Sequence, residues 1–438
     1  MQRALSFQQS PAPGVPLRFL FTAPLFAVLA GLLLLWSGPA ALASRWTGQA
    51  LALTHLFTLG VLANAMAGAL MQILPVATGI SVLAPKASSV VVHALLNVGV
   101  LALAAAFLWF QPWLFVLALI SLCAALGCFL AACGGGLWKY RKQATKGSTE
   151  ILATTRLALA ALLPATVMGA MLAGSFAWPL PISRVFTNAH GAWGLLGWVG
   201  LLVIGISYQV IPIFQVTEIY PKRLTRWLAP AIFALLIAYM ANTIAPASLR
   251  LEIDLAIGAA MLAAYTAFAL VTFQLLWTRK RPKADATTHF WRTAMLCLAA
   301  CGPVWLAHAA GVADLSITLG MLFIVGFGWS TVNGMLYKII PFLLWYHVQK
   351  DLAVALRAVP KVKDIIPDAV AAKQYWAHLA AVLLLLSASL RPASFSQAAG
   401  LMLAVSAAWL FVNMVNALRL YRRARKQIAL ALAQSPQP

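Results

Sequence analysis

The residues with most chemistry to offer in this sequence are its seven histidines, set in a chain that carries only nine Asp and Glu. An imidazole can ligate a metal, accept a proton near neutral pH or pass one on, and it needs no carboxylate to do so. Apolar patterning sorts the seven into two layers. His55, His190 and His308 lie within one or two turns of apolar-run ends on one side, and His93, His289, His347 and His378 lie near the ends on the other. An imidazole inside a membrane requires a hydrogen bond, a metal or a place in a proton relay. Two neutral imidazoles facing each other across a planar macrocycle hold a b-type haem, and His55 and His190, each opening a helix, are the candidate pair. His308 is a spare metal ligand. The alternative for each is a polar residue at a helix start, bonded to backbone or water, and for the other four histidines that reading is preferred.

Other chemistry is thin. Glu252, Asp254 and Asp314 on one side, and Glu150, Glu218, Asp285, Asp351, Asp364 and Asp368 on the other, fall in loops or at helix ends. They give no support for a carboxylate-lined ion path through the membrane centre. Cys123, Cys128, Cys133, Cys297 and Cys301 lie inside apolar runs, where small residues pack helices together, and no disulfide framework is indicated. Cys297 and Cys301, four apart on one helical face, suit a soft metal, but packed thiols are the better reading.

The elements that position these residues follow from composition. The chain is 63% hydrophobic and 9% charged over 438 residues, more apolar surface than a soluble domain can enclose, so the bilayer is its solvent and its first partner. Apolar runs near the roughly 20 residues needed to cross the hydrocarbon core recur at about 19–36, 51–74, 90–110, 113–137, 157–176, 189–213, 228–245, 255–276, 294–312, 315–344, 377–390 and 398–418. These are twelve expected spans, the eleventh short and completed at the interface by Tyr375, Trp376 and His378. With the N-terminus inside, all but Arg45, Arg184, Arg250 and Arg391 of the 31 Lys and Arg fall on the cytoplasmic side, as the positive-inside rule requires. Both termini are therefore expected in the cytoplasm of a bacterial-type inner (plasma) membrane. The net charge of +22 reports this topology rather than a nucleic-acid partner. Met1 to Arg18 is polar and Pro-rich and does not read as a cleaved signal peptide. The loop over about 345–374, with Lys350, Asp351, Arg357, Lys361, Lys363, Asp364, Asp368 and Lys373, is expected as a surface helix on anionic lipid or a solvated loop.

One pattern is written three times: Gly60-x7-Gly68-x3-Gln72-x2-Pro75, Gly197-x7-Gly205-x3-Gln209-x2-Pro212 and Gly326-x7-Gly334-x3-Lys338-x2-Pro341. The copies fall four helices apart, on the second, sixth and tenth spans. The expected fold is all-α, twelve transmembrane helices in one integral domain of three pseudo-symmetric four-helix units, about 17–142, 150–278 and 288–426. Glycines eight apart lie on one face and admit a neighbouring backbone, and each Pro is expected where its helix stops.

With THLFTLGVLANAMAGALMQILPV on the second span and TNAHGAWGLLGWVGLLVIGISYQVIPIF on the sixth, the chain resembles the haem-copper oxidase subunit I superfamily, and more narrowly its divergent, small NnrS-like members. The resemblance covers the whole chain at the level of architecture. It implies haem, less strongly copper, and a membrane or periplasmic redox partner. His55 stands where that superfamily places a low-spin haem ligand, and His190 near a copper ligand. Asn242 stands where a His-His pair would complete the copper site, and Asp314 and Ser316 where two haem-binding histidines would be. What the resemblance implies is a redox, nitric oxide or oxygen-related haem protein without a complete oxygen-reducing centre. A transporter or permease for a small solute, metal or haem is the alternative, since twelve helices with internal repeats suit it equally. A nitric oxide or oxygen reductase with unusual ligands is the third.

Overall fold

The computed structural model describes residues 7–145, 147–178, 185–348 and 361–434. Twelve helices are long and apolar enough to cross a membrane: α1 Gly14–Leu42, α2 Gly48–Thr78, α3 Pro85–Trp109, α4 Pro112–Lys139, α5 Thr149–Ala177, α6 Phe186–Gln215, α7 Lys222–Asn242, α8 Ser248–Trp277, α9 Ala286–Ala309, α10 Ser316–Val348, α11 Asp368–Leu390 and α12 Pro392–Leu430. No strand occurs among the described residues. The all-helical, twelve-span expectation is met. Residues 349–360 of the surface loop lie outside the described residues, which resume there with a short helix, Val362–Ile365, before α11.

Hydropathy alone does not say which helices are central, because lipid and protein interior both favour apolar side chains. Burial does. The apolar windows of α2, α6 and α10 are 83%, 72% and 78% buried, against 22–50% for the other nine, so the helices bearing the repeated motif form the middle of the bundle.

The repeated glycines are the contact points. A Cβ at Gly60 would stand 2.6 Å from the Phe26 ring and one at Gly68 2.9 Å from Phe19, both on α1. At Gly197 and Gly205 the neighbours are Ala161 (2.7 Å) and Thr154 (2.8 Å) of α5, and at Gly326 and Gly334 they are Cys297 (2.7 Å) and Phe290 (2.5 Å) of α9. In every pair the partners are seven residues apart, so α2 lies on α1, α6 on α5 and α10 on α9 in one register. The prolines differ from expectation. Pro75, Pro212 and Pro341 lie inside their helices, and α2 stops only at Thr78, where Gly79 adopts φ +77°.

Each central helix also widens into a π-helical segment at the same point of the repeat: Leu56–Ala63, Ala192–Gly200 and Leu322–Trp329. Such segments leave carbonyls without their i+4 partner and gather at functional sites. Here a side chain reaches each freed region. Asn64 Nδ2 donates to Gly60 O at 2.9 Å, the Tyr265 hydroxyl of α8 donates to Leu196 O, and Ser330 Oγ donates to Val325 O at 3.3 Å.

At the far end of α10, Lys338 replaces the glutamines of the other two copies and donates to Asp285 Oδ2 at 2.7 Å. Burial pushes the Asp285 carboxyl up, but the Lys338 ammonium and the Thr288 hydroxyl and amide outweigh it and hold the group below the usual carboxylate range. Asp285 also caps α9 through Thr288 N. We expect Lys338→Met to cost about 2 kcal/mol at pH 7, between exposed and fully buried pairs, because the side chains are only 26% and 18% exposed. A group with a depressed folded-state pKa stabilises above its unfolded value and loses that contribution as pH falls. Unfolding midpoints of the two proteins should therefore converge below about pH 4.

Candidate functional site

Thr47 starts α2 by accepting from Ala50 N at 3.1 Å, and two turns later His55 directs Nδ1 at the Leu51 carbonyl, 2.8 Å away. His190, one turn into α6, directs Nδ1 at the Ala165 carbonyl of α5, 2.9 Å away. A carbonyl only accepts, so both Nδ1 atoms carry the proton and both neutral rings keep the lone pair on Nε2. The His190 ring reaches the α5 backbone because residue 169 lacks a side chain: a Cβ on Gly169 would stand 2.8 Å from His190 Cε1.

The structure brings the two histidines together. Their ring centres are 6.3 Å apart and their planes 19° from parallel. His55 also stacks on Phe107 of α3 at 5.3 Å. Phe107 meets Phe115 of α4 and Phe176 of α5 edge-on, and those two stack at 4.8 Å, so three outer helices supply an aromatic wall. Outside the pair, Arg45 Nη2 in the α1–α2 connection donates to Asn188 Oδ1 at 2.6 Å, which ties the approach to α2 to the first turn of α6. Gly169 and the aromatic wall escaped sequence reasoning. A glycine and three phenylalanines in apolar helices carry no signal beyond packing.

His308 is not brought to the pair by any bond of its own. Its Nδ1 accepts from Leu315 N at 3.2 Å and lies 3.8 Å from Asp314 Oδ1, folding the α9–α10 turn. Asn242 holds the α7–α8 turn through Asp254 Oδ1 and Arg250 O. The Ser316 hydroxyl, and then the Ser316 amide that donates to Asp314 Oδ1, hold the Asp314 carboxyl below the usual range. Asn242, Asp314 and Ser316 thus serve turns.

The remaining histidines are held by ordinary bonds or ring contacts. His93 Nε2 is paired with the Thr22 hydroxyl at 2.8 Å, and His347 lies between the Leu343 and Pro11 carbonyls. His289 packs against the Tyr375 ring at 5.4 Å. His378 is not interfacial: α11 begins at Asp368, and His378 is 0% exposed with Nε2 2.7 Å from Ser330 Oγ. Thr22 and Thr293, and likewise Asn64 and Ser330, are equivalent in the repeat. Thr22–His93 and Asn64–Asn97 in one unit match Thr293–Tyr375 and Ser330–His378 in another. At the middle copy these places hold Leu157 and Leu201.

Among the described residues no three His, Cys, Asp or Glu converge as a metal site, and all five cysteines are free. A haem asks less of a protein, since its macrocycle supplies the equatorial nitrogens and only one or two axial side chains are needed. We expect Gly169→Val to act as strongly as loss of His190 itself, because the added side chain occupies the ring's position. Comparison of bound haem in the two variants checks this, and an unaffected Gly169→Val protein would refute it. No model of a known protein family matches this sequence, and no curated protein matches it significantly.

Proposed function

We propose that this chain is a haem-binding protein of a bacterial-type inner membrane, redox or nitric oxide/oxygen-related, and not a complete oxidase. The observation that supports it is the His55–His190 pair. Their ring centres lie 6.3 Å apart, so one bound group is within reach of both. The donor set fits as well, with two neutral rings oriented by backbone carbonyls that raise the basicity of Nε2.

In this reading His55 and His190 hold the group from α2 and α6, while the Leu51 and Ala165 carbonyls fix tautomer and ring angle. Phe107, Phe115 and Phe176 exclude water and lower the local dielectric, which favours the less charged state of a bound centre. A haem held there would supply one-electron chemistry. Purified full-length protein is expected to show a Soret band, a reduced-state α band and about one haem per chain. Colourless protein from haem-replete cells would make the transporter reading the better one.

The orientation belongs to the same proposal. Reporter fusions in the 139–148 and 279–285 connections should read cytoplasmic and those at 179–184 and 243–247 periplasmic, because Lys and Arg crowd the former. Inversion of either pair would remove the assignment. The matched glycine contacts of α1/α2, α5/α6 and α9/α10 support three units related by about a third of a turn.

A further inference from the structure

At the end of the bundle where α5 and α7 start and α6 runs out, a pocket of about 140 Å³ opens among the three helices. Its wall holds Glu150 in the first turn of α5, Tyr208 and Pro212 of α6, Tyr220 of the α6–α7 connection, and Lys222 and Thr225 of α7. Charges of both signs thus border one space, at the level where spans begin and phospholipid headgroups lie. The pocket is open on one side, so an occupant enters from the membrane surface and keeps part of itself outside.

The two sides of the pocket differ in chemistry. Pro212 lies inside α6 and has no N–H, so the carbonyl of Tyr208, four residues earlier, is left without a helical donor. With the half-buried Glu150 carboxylate it gives that side oxygens that only accept. The Tyr208 and Tyr220 rings meet edge-on at 5.0 Å in the same wall, and phenol rings attract a cation. Acceptor oxygens and aromatic rings together suit an ammonium that carries N–H donors. Across the pocket Lys222 is exposed and makes no ion pair among the described residues. Arg226 stands one turn further along the same face of α7, and the two cations suit a phosphate.

We propose that this pocket binds the headgroup of a phospholipid that carries both a phosphate and a primary ammonium, as phosphatidylethanolamine does. The ammonium sits at Glu150 and the Tyr208 carbonyl, the phosphate at Lys222, and the acyl chains run along α7. That helix has the least buried apolar window of the twelve, at 22%, and Ile219 and Trp227 beside the pocket are 53% and 61% exposed, a surface for lipid chains. Glu150 disfavours a wholly anionic headgroup, and a quaternary ammonium has no N–H to give the carbonyl. The site lies apart from the His55–His190 pair and does not depend on the haem reading.

Native mass spectrometry of the full-length protein tests this, with phosphatidylethanolamine, phosphatidylglycerol and phosphatidylcholine of matched chains added in turn. One firmly held phosphatidylethanolamine per chain is expected, bound about tenfold or more tighter than either other lipid, since each of those forgoes a charge-assisted hydrogen bond. Glu150→Gln should remove that preference. Lys222→Met should weaken all three lipids alike, because they share the phosphate, and its exposed, unpaired side chain keeps the variant informative if Glu150→Gln does not accumulate. Soluble glycerophosphoethanolamine, the same headgroup without chains, should not displace the lipid at equal concentration. Displacement by it would assign the pocket to a free phosphate ester and overturn the lipid proposal. Equal binding of the three lipids, preference for phosphatidylglycerol, or wild-type phosphatidylethanolamine binding in both variants would overturn it as well.

Discussion

His55→Ala is expected to leave the purified protein without a Soret band, and His190→Ala to retain less haem with an altered spin state. The difference follows from how each ring is held. His55 is fixed within its own helix by Leu51 O and stacked against Phe107, so it presents Nε2 whether or not the partner is present. His190 depends on a second helix for both its bond and its space, through Ala165 O and Gly169. With His190 gone, the well-oriented His55 would remain to hold the group. With His55 gone, the less rigid ligand is left alone. Haem per chain and the positions of the Soret and α bands measure both outcomes. Full retention with unchanged spectra in both single variants would leave the haem reading without ligands.

The second large effect concerns stability. Gly31→Val and Gly400→Val should each cost about 3 kcal/mol or more, the upper end of the range for overpacking. α1 and α12 meet backbone to backbone at these two residues. A Cβ on Gly31 would stand 2.5 Å from Ala404 N and 2.7 Å from Gly400 O, and one on Gly400 would stand 2.4 Å from Leu35 N. Backbone atoms cannot rotate aside as a side chain does, so the helices must separate and lose the packing between them. Gly127→Ala is the control, because a Cβ there meets nothing within 4 Å, and its cost should stay within about 0.5 kcal/mol. Thermal unfolding in one detergent compares the three, and equal midpoints would show that the α1–α12 contact does not hold the bundle closed.

The glycine spacing was the most informative part of the sequence, because a residue without a side chain marks where another helix must come. It implied close approaches for α2, α6 and α10, and the contacts with Phe26, Ala161 and Cys297 are those approaches. What it did not contain is rotation about the helix axes. His55 and His190 are far apart in sequence, and uniform apolarity around both helices gives no inward face, so nothing in either segment marks their meeting. The π segments were equally hidden, since they arise from tertiary fit rather than from residue preference. The start of α11 was misplaced for a related reason. Gln374, Tyr375 and His378 lower its hydropathy, yet Gln374 bonds Ser406, Tyr375 contacts the Thr293 hydroxyl and His378 contacts Ser330. A buried polar residue whose partner lies on another helix looks, in one dimension, like an exposed one.

The meeting of Gly31 with Gly400 has a consequence for how the chain is made. Some 370 residues separate the two contacts, and at about 5–20 residues per second the ribosome takes roughly 20–75 s to deliver the second after the first. During that interval α1 has α2 to pack on through Gly60 and Gly68, but the face bearing Gly31 is turned to lipid or to whatever insertion machinery shields it. The bundle can close only when its last helix arrives, so a nascent chain arrested before residue 392 should remain open along one side and be the form most exposed to membrane proteases.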